Sequence, residues 1–173
     1  GDTITDIAKK VRLATMLGTI QSTLTNFKYL SREWRKNCDE ERLLGVSLTG
    51  IMDNTLSANP KPENLQHLRE IAVHTNEALA QEIGIHPSAS ITCVKPSGTV
   101  SQLVDSASGI HSRHSPYYIR LVRMDAKDPM TTFMQDLEWV WEPDNTKPNE
   151  TVVFSFPVKS PKGCITREKR SAI

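Results

Sequence analysis

The chain has 173 residues, 38% hydrophobic and 24% charged, with 21 Lys and Arg against 20 Asp and Glu for a formal net charge of +1. About 150 residues bury roughly 68–70% of the unfolded surface, so this length supports one domain with a real core, and the composition argues against wholesale disorder. The balanced charge leaves no global field to hold nucleic acid, no apolar run approaches the roughly 20 residues that cross a bilayer, and the start GDTITDIAKK lacks the apolar centre of a signal peptide. A cytoplasmic setting is therefore expected, with no nucleic-acid or membrane partner. Cys38, Cys93 and Cys164 show no metal-ligand spacing and read as reduced, structural thiols.

From Thr3 to about Leu24, Ile4, Ile7, Val11, Ala14 and Leu17 recur at helical spacing behind a Thr3/Asp6 capping start. The segment FKYLSREWRKNCDEER reads as a connection. In LLGVSLTGI, Leu44, Val46 and Leu48 alternate with Gly45, Ser47 and Thr49, which predicts a strand with one small, polar face. Pro60 and Pro62 open a second helix with Leu65, Leu68, Ala72, Leu79 and Ile83 on one face, closed by Gly84. A second strand, SITCVK, runs into the turn Pro96-Ser97-Gly98, and YYIRLVRM resumes a strand. Asp128-Pro129 starts a short helix carrying the stripe Met130, Phe133, Met134 and Leu137. The linker EPDNTKPNE leads to TVVFSFPVKS, where Val152, Phe154, Phe156 and Val158 share a face and Pro157 marks an edge or the end of pairing. The ending REKRSAI carries neither a helix stop nor a closing strand, so the chain is expected to break off at or just inside the next element. Alternating helices and strands favour an α/β arrangement, layered or barrel-like.

The densest chemistry lies in KPSGTVS. Ser97, Thr99 and Ser101 bring hydroxyls, Gly98 lets the backbone bend without a Cβ, and backbone donors begin at Ser97 because Pro96 has no N–H. A phosphate suits such a turn, although Pro-Ser-Gly is also an everyday turn. His111 and His114 sit in a Gly- and Ser-rich loop without acidic or thiol ligands nearby, which argues for ordinary polar histidines over a metal site. Arg113, Arg120 and Arg123 add positive charge after the loop, either to steer an anion or as a solvated strand face. Trp34, Trp139 and Trp141 read as packing residues.

With these residues in view, the chain resembles the catalytic subunit of class II, adenosylcobalamin-dependent ribonucleotide reductases. KPSGTVSQLVDSASGIHSRHSPYYIRLVR resembles that family's substrate-phosphate loop and following strand, and EERLLGVSLTGIMD an upstream barrel strand. KVRLATMLGTIQSTLTNF and VVFSFPVKSP also look like family segments. The resemblance implies that residues 1–173 form a single partial domain, a portion of a ten-stranded α/β barrel. It implies that Pro96, Ser97, Gly98, Thr99 and Val100, with Ser101 beside them, contact the phosphates of a ribonucleoside di- or triphosphate. The family's loop-tip radical cysteine, its glutamate and at least one electron-donating cysteine would lie before Gly1, so no catalytic residue is assigned and the piece alone is expected to be inactive. Adenosylcobalamin is implied for the full-length parent and not for this piece. The expected partners are the remaining part of the reductase barrel and a second copy in a homo-oligomer. The alternative is a freestanding nucleotide- or protein-binding module derived from a reductase.

Overall fold

The Thr3 side chain accepts from the Asp6 N–H at 3.3 Å while the Asp6 carboxylate accepts from the Thr3 N–H at 3.0 Å. This reciprocal cap starts α1 (Ile4–Gln21), and the bonds from Thr3 hold the Asp6 carboxyl below the usual carboxylate range. The computed structural model describes residues 2–169, so Gly1 and the last four residues of the REKRSAI ending lie outside the described residues. The chain divides into two compact units, Gly1–Ser112 with Gly163–Ile165, and Arg113–Lys162 with Thr166–Ile173. No helix among the described residues is long and apolar enough to cross a membrane.

In the first unit α1 packs on α4 (Pro62–Ile83), which has Pro62 in its first turn and ends at Gly84 in the left-handed conformation, φ +73°. Both helices match the sequence reading in extent, and their buried faces match in part: Val11, Leu68 and Ala72 are core and Ile4 and Ile7 pack against it. The buried residues are Val11, Thr15 and Thr19 on α1 and Leu68, Ala72, Asn76 and Ala80 on α4, whereas Ala14, Leu65 and Ile83 are exposed and Leu17 is 69% exposed. Hydrogen bonding explains the difference. The Thr15 and Thr19 hydroxyls each donate to the carbonyl four residues back at 2.8 Å. The Asn76 amide donates to Thr19 Oγ1 and Ser88 Oγ, both at 2.9 Å, and accepts from the Ser88 N–H at 2.8 Å. Polar atoms so paired can be buried without the usual penalty, and the small Thr and Ala side chains let two helices approach.

Val11, Leu68, Ala72 and Ile91 form the centre of the core, with Leu44, Val46 and Leu48 against it. The two sequence-predicted strands of this unit run extended and parallel, but they share only the bridge Val46–Thr92 rather than a ladder. Three bonds join them: Leu44 N–H to Ser90 O at 2.9 Å, Val46 N–H to Ile91 O and Cys93 N–H to Val46 O, both at 3.0 Å. The pairing stops early because the chain turns at Gly50, φ +66°, and because Pro96 has no N–H to offer.

The segment read as a connection contains α2 (Arg32–Glu41). It buries no residue and carries i,i+4 ion pairs, Arg35–Asp39 at 3.6 Å and Lys36–Glu40 at 3.8 Å, so it has no apolar stripe for periodicity to reveal. A single turn, α3 (Thr55–Ala58), is capped by Asn54. Cys38 is half-buried and Cys164 buried, as small hydrophobes often are, but Cys93 is exposed.

The second unit holds a three-stranded antiparallel sheet in the order β1-β3-β2, from β1 (Tyr117–Asp125), β2 (Trp141–Pro143) and β3 (Thr151–Lys159). Pro157 lies on the central strand, yet two residues beyond Ser155, whose N–H bonds Val140 O on the β2 side at 3.0 Å. The missing donor therefore faces the side that β2 no longer covers. EPDNTKPNE is not wholly a linker, since Glu142 and Pro143 belong to β2. The helix α6 (Pro129–Asp136) is capped by Asp128, but Met130, Phe133 and Leu137 are more than half exposed; its buried residue is Thr131, whose hydroxyl donates to Asp125 O at 2.7 Å. Trp139 packs on Phe156, ring centroids 5.2 Å apart, and its indole N–H donates to Ser155 O at 3.0 Å.

The Asp144 carboxylate accepts four hydrogen bonds, from Thr146 Oγ1 at 2.6 Å, Thr146 N at 2.9 Å, Arg123 Nε at 2.8 Å and Lys147 N at 3.2 Å. The Thr146 bonds first, and then the Arg123 guanidinium, hold its carboxyl far below the usual carboxylate range.

Two outcomes follow for unfolding measurements. Asn76→Ala strands Ser88 and one face of Thr19, and should lower stability by about 2–3 kcal/mol in denaturant titration. A folded-state pKa depressed at Asp144 gives stability that is complete above the ordinary aspartate range and fades as the pH falls below it. Asp144→Ala should accordingly flatten the acid limb of stability against pH, while leaving the slope above pH about 6 unchanged.

Candidate phosphate-binding loop

The second extended segment delivers the chain directly into Pro96–Ser101. Pro96, Gly98, Thr99 and Val100 are exposed, Ser97 is half-buried and Ser101 is fully buried. The backbone bends at Gly98 and Thr99 and enters one helical turn, α5 (Val100–Leu103). The N–H groups of Ser97, Gly98 and Thr99 donate to no acceptor among the described residues, which leaves three successive backbone donors for an anion.

Ser101 has a different part from its neighbours. Its hydroxyl donates to Gly98 O at 2.9 Å, and its carbonyl accepts from the Ser106 N–H at 2.9 Å and from Ser106 Oγ at 3.3 Å. It ties the turn from below, and Ser97 and Thr99 are the hydroxyls left on the outer side. The following turn is clamped onto the end of the first extended segment. Gly50 N–H donates to Ala107 O at 2.8 Å, Ala107 N–H to the Asp53 carboxylate at 2.7 Å, and Gly109 N–H to Thr49 Oγ1 at 3.0 Å.

The glycine on which the sequence reading relied is not the constrained one. Gly98 lies outside the left-handed region, and a Cβ there would meet nothing within 4 Å. Gly109 has φ +53°, and its Cβ would stand 3.6 Å from Lys95 O and 3.7 Å from Ser97 N, against the base of the loop. At Gly50, φ +66°, a Cβ would come within 2.9 Å of Ser106 Cβ. Sequence reading overlooked both, because their need arises from docking between turns far apart in the chain. The only local signal was a Gly in each turn-rich stretch, LTGI and ASGI.

Lys95, just before the loop, is exposed and has no ion pair among the described residues; Gly45 leaves room for its ammonium, since a Cβ at 45 would stand 3.6 Å from Lys95 Nζ. Beside the loop strand, Val11, Val46, Leu68, Cys93 and Ile110 line an open, mainly apolar cavity of about 580 Å³. His111 and His114 are exposed, and no group of three His, Cys, Asp or Glu suited to a metal occurs among the described residues. Arg113 is buried, whereas Arg123 lies on β1 with its side chain 64% exposed and pairs with Asp144 at 2.8 Å.

Comparison with known proteins agrees with the resemblance in the sequence. No family profile matches the chain. The adenosylcobalamin-dependent ribonucleoside-triphosphate reductase of Lacticaseibacillus paracasei is 32% identical over 158 residues, 74% of this chain and 21% of that protein. Those of Lactobacillus acidophilus and Lactobacillus gasseri are 28% and 29% identical over 153 residues, 73% of this chain and 20% of each. A crystal structure of a B12-dependent (class II) ribonucleotide reductase superposes with a TM-score of 0.70 at 21% identity, covering 90% of this chain and 26% of that one, and shows a shared fold. The chain is related to a segment of the ribonucleotide reductases. Within them, its relatives are of the class II, adenosylcobalamin-dependent kind. The chain spans about one fifth of the length of the curated relatives it matches.

The glycine geometry gives a graded expectation. Gly98→Ala should leave the thermal midpoint within error, Gly109→Ala should cost about 1–2 kcal/mol for its left-handed backbone, and Gly50→Ala should cost more, because a contact must shift as well. Equal losses at all three sites would contradict this account of the loop.

Proposed function

We propose that this chain supplies the substrate-phosphate loop of a ribonucleotide reductase catalytic subunit, an enzyme that converts ribonucleotides to deoxyribonucleotides by a thiyl-radical mechanism. The observation that carries the reading is the run of uncommitted N–H groups at Ser97, Gly98 and Thr99, in a segment of the chain related to the class II reductases. Ser97 and Thr99 add hydroxyl donors, Pro96 and Val100 flank them, Ser101 fixes the turn, and the Lys95 ammonium strengthens an anion contact through charge. A nucleoside di- or triphosphate is the ligand class these groups suit.

On this reading residues 1–173 are one portion of the reductases' ten-stranded barrel, and the extended pair 44–49 and 90–95 supplies two of its strands. The loop then follows the carboxyl end of a parallel strand, the position at which α/β sheets bind ligands. The relatives are named for adenosylcobalamin. Two cavities, about 610 and 580 Å³, are on the scale of a drug-sized ligand, and a corrinoid with its nucleotide tail and adenosyl group is larger than either. The residues described do not fit that cofactor, and no step is derived through it.

Affinity for phosphate alone should be weak. A few hydrogen bonds to an exposed phosphate contribute about 0.5–1.5 kcal/mol each, so a millimolar Kd, near −4 kcal/mol, is expected. NMR titration with a nucleoside diphosphate, and then a triphosphate, tests the site: the amides of Ser97 to Ser101 should shift together, and Ser97→Ala should weaken binding without altering the fold. Shifts confined to Arg120 and Arg123 would mean that only diffuse electrostatics had been seen. The same preparation, supplied with adenosylcobalamin and a dithiol, should form no deoxyribonucleotide above background.

A further inference from the structure

The bonds inside the candidate loop are local and do not fix where it stands on the strand pair. Ser101 Oγ donates to Gly98 O at 2.9 Å and Gln102 N–H to Thr99 O at 3.0 Å. Cys93, whose N–H bonds Val46 O at 3.0 Å, is the last residue of the second segment joined to the first. Val94, Lys95 and Pro96 then reach Ser97 with no backbone bond among the described residues. The return turn, residues 106–109, supplies what is missing. At the far end of the loop, Ser106 donates to Ser101 O through its N–H at 2.9 Å and its hydroxyl at 3.3 Å. At the near end stands Gly109, where a Cβ would be 3.6 Å from Lys95 O and 3.7 Å from Ser97 N. Its backbone therefore lies against the first of the three uncommitted amides.

The return turn is itself gripped by the end of the first extended segment, and a single hydroxyl holds both of its ends. Thr49 Oγ1 accepts from the Gly109 N–H at 3.0 Å and donates to Ala107 O at 3.1 Å, which uses the one proton and one lone pair of the group. The other bonds of the grip each reach one end alone. Gly50 N–H donates to Ala107 O at 2.8 Å, Ile51 N–H to Gly109 O at 3.3 Å, and Ala107 N–H to the Asp53 carboxylate at 2.7 Å.

We infer, on the reading of residues 97–99 as a phosphate site, that Thr49 is the positioning residue of that site and that anion binding is coupled to closure of its clamp. The three amides converge on one anion only while Gly109 holds Ser97 in place, so a ligand that needs all three selects the closed clamp. Linkage makes the effect reciprocal: the ligand strengthens the clamp by the factor by which the clamp strengthens the ligand. The amides of Ala107 and Gly109 are already committed to Asp53 and Thr49. A change in their opening on binding therefore reports the coupling and not a contact with the ligand.

Amide NMR and hydrogen exchange of the chain, with and without cytidine diphosphate, test the inference. Thr49 is exposed, so Thr49→Val removes the hydroxyl while leaving the core untouched. Without ligand, this variant should speed exchange at Ala107 and Gly109 and displace the amide signals of Ser97, Gly98 and Thr99, while those of Asn76 and Ser88 stay in place. It should raise the Kd for the nucleotide about three- to tenfold, the worth of one or two hydrogen bonds. Thr49→Ser, which keeps the hydroxyl, should restore the wild-type value. In the wild-type chain the nucleotide should slow exchange at Ala107 and Gly109, and Thr49→Val should remove most of that response. Faster exchange at Gly109 with an unchanged Kd overturns the inference, because the clamp would then open without effect on the site. Weaker binding with the unliganded loop amides unmoved overturns it as well, by making Thr49 a direct contact of the anion. Wild-type loop amides that ignore the nucleotide sink the phosphate reading and the coupling together, whereas the unliganded comparison still decides whether Thr49 places the loop.

Discussion

A parallel strand pair cannot be closed by a tight turn, and the first unit is built around that constraint. The segments at Leu44–Val46 and Ser90–Cys93 meet through three backbone bonds, and the chain between them travels out through α4 and back. α4 must then cover the apolar face of the pair, which it does through Leu68 and Ala72 against Ile91, with α1 beside it. The candidate loop leaves from the end of the second segment, and its return turn is clamped to the end of the first through Thr49, Gly50 and Asp53. The loop's shape is therefore set by the pair beneath it more than by its own residues.

The helix–helix contact shows how polar atoms can specify a core. Thr15 and Thr19 return their hydroxyl protons to their own helix, which leaves Thr19 Oγ1 as an acceptor facing α4. Asn76 uses that acceptor and both polar groups of Ser88, so one amide fixes the rotation of α4 relative to α1 and draws in the segment before the second strand. An apolar residue of similar size could fill the space, but it would not select this register of the two helices.

Much of the fold was legible where local chemistry decides it. The Thr3/Asp6 box, Pro62, Gly84 and Asp128-Pro129 mark helix ends that depend on a few neighbouring atoms, and β3 follows from alternation. Faces were less legible. Leu17, Phe133 and Leu137 read as core by periodicity yet are exposed, while Thr15 and Thr131 are buried with their hydroxyls bonded to carbonyls a few residues back, and Thr19 and Asn76 satisfy each other across the helix pair. α2 escaped notice because its stability is written in charge pairs. At the loop, the residue types pointed to a turn rich in donors, but the inward role of Ser101 and the demands on Gly50 and Gly109 depend on tertiary docking that no local window contains.

The span of the parallel pairing also bears on the order of assembly. Val46 and Thr92 are partners across the whole length of α4, so the entropy of closing that long stretch opposes the pairing before any strand bond can reward it. Helix α4 can form from contacts within a few residues, and once formed it shortens the effective span to be closed. The loop and its Thr49–Gly109 clamp, which require the closed pair, then belong to the last stage of folding. The candidate loop is accordingly the part of the unit expected to assemble latest and open first.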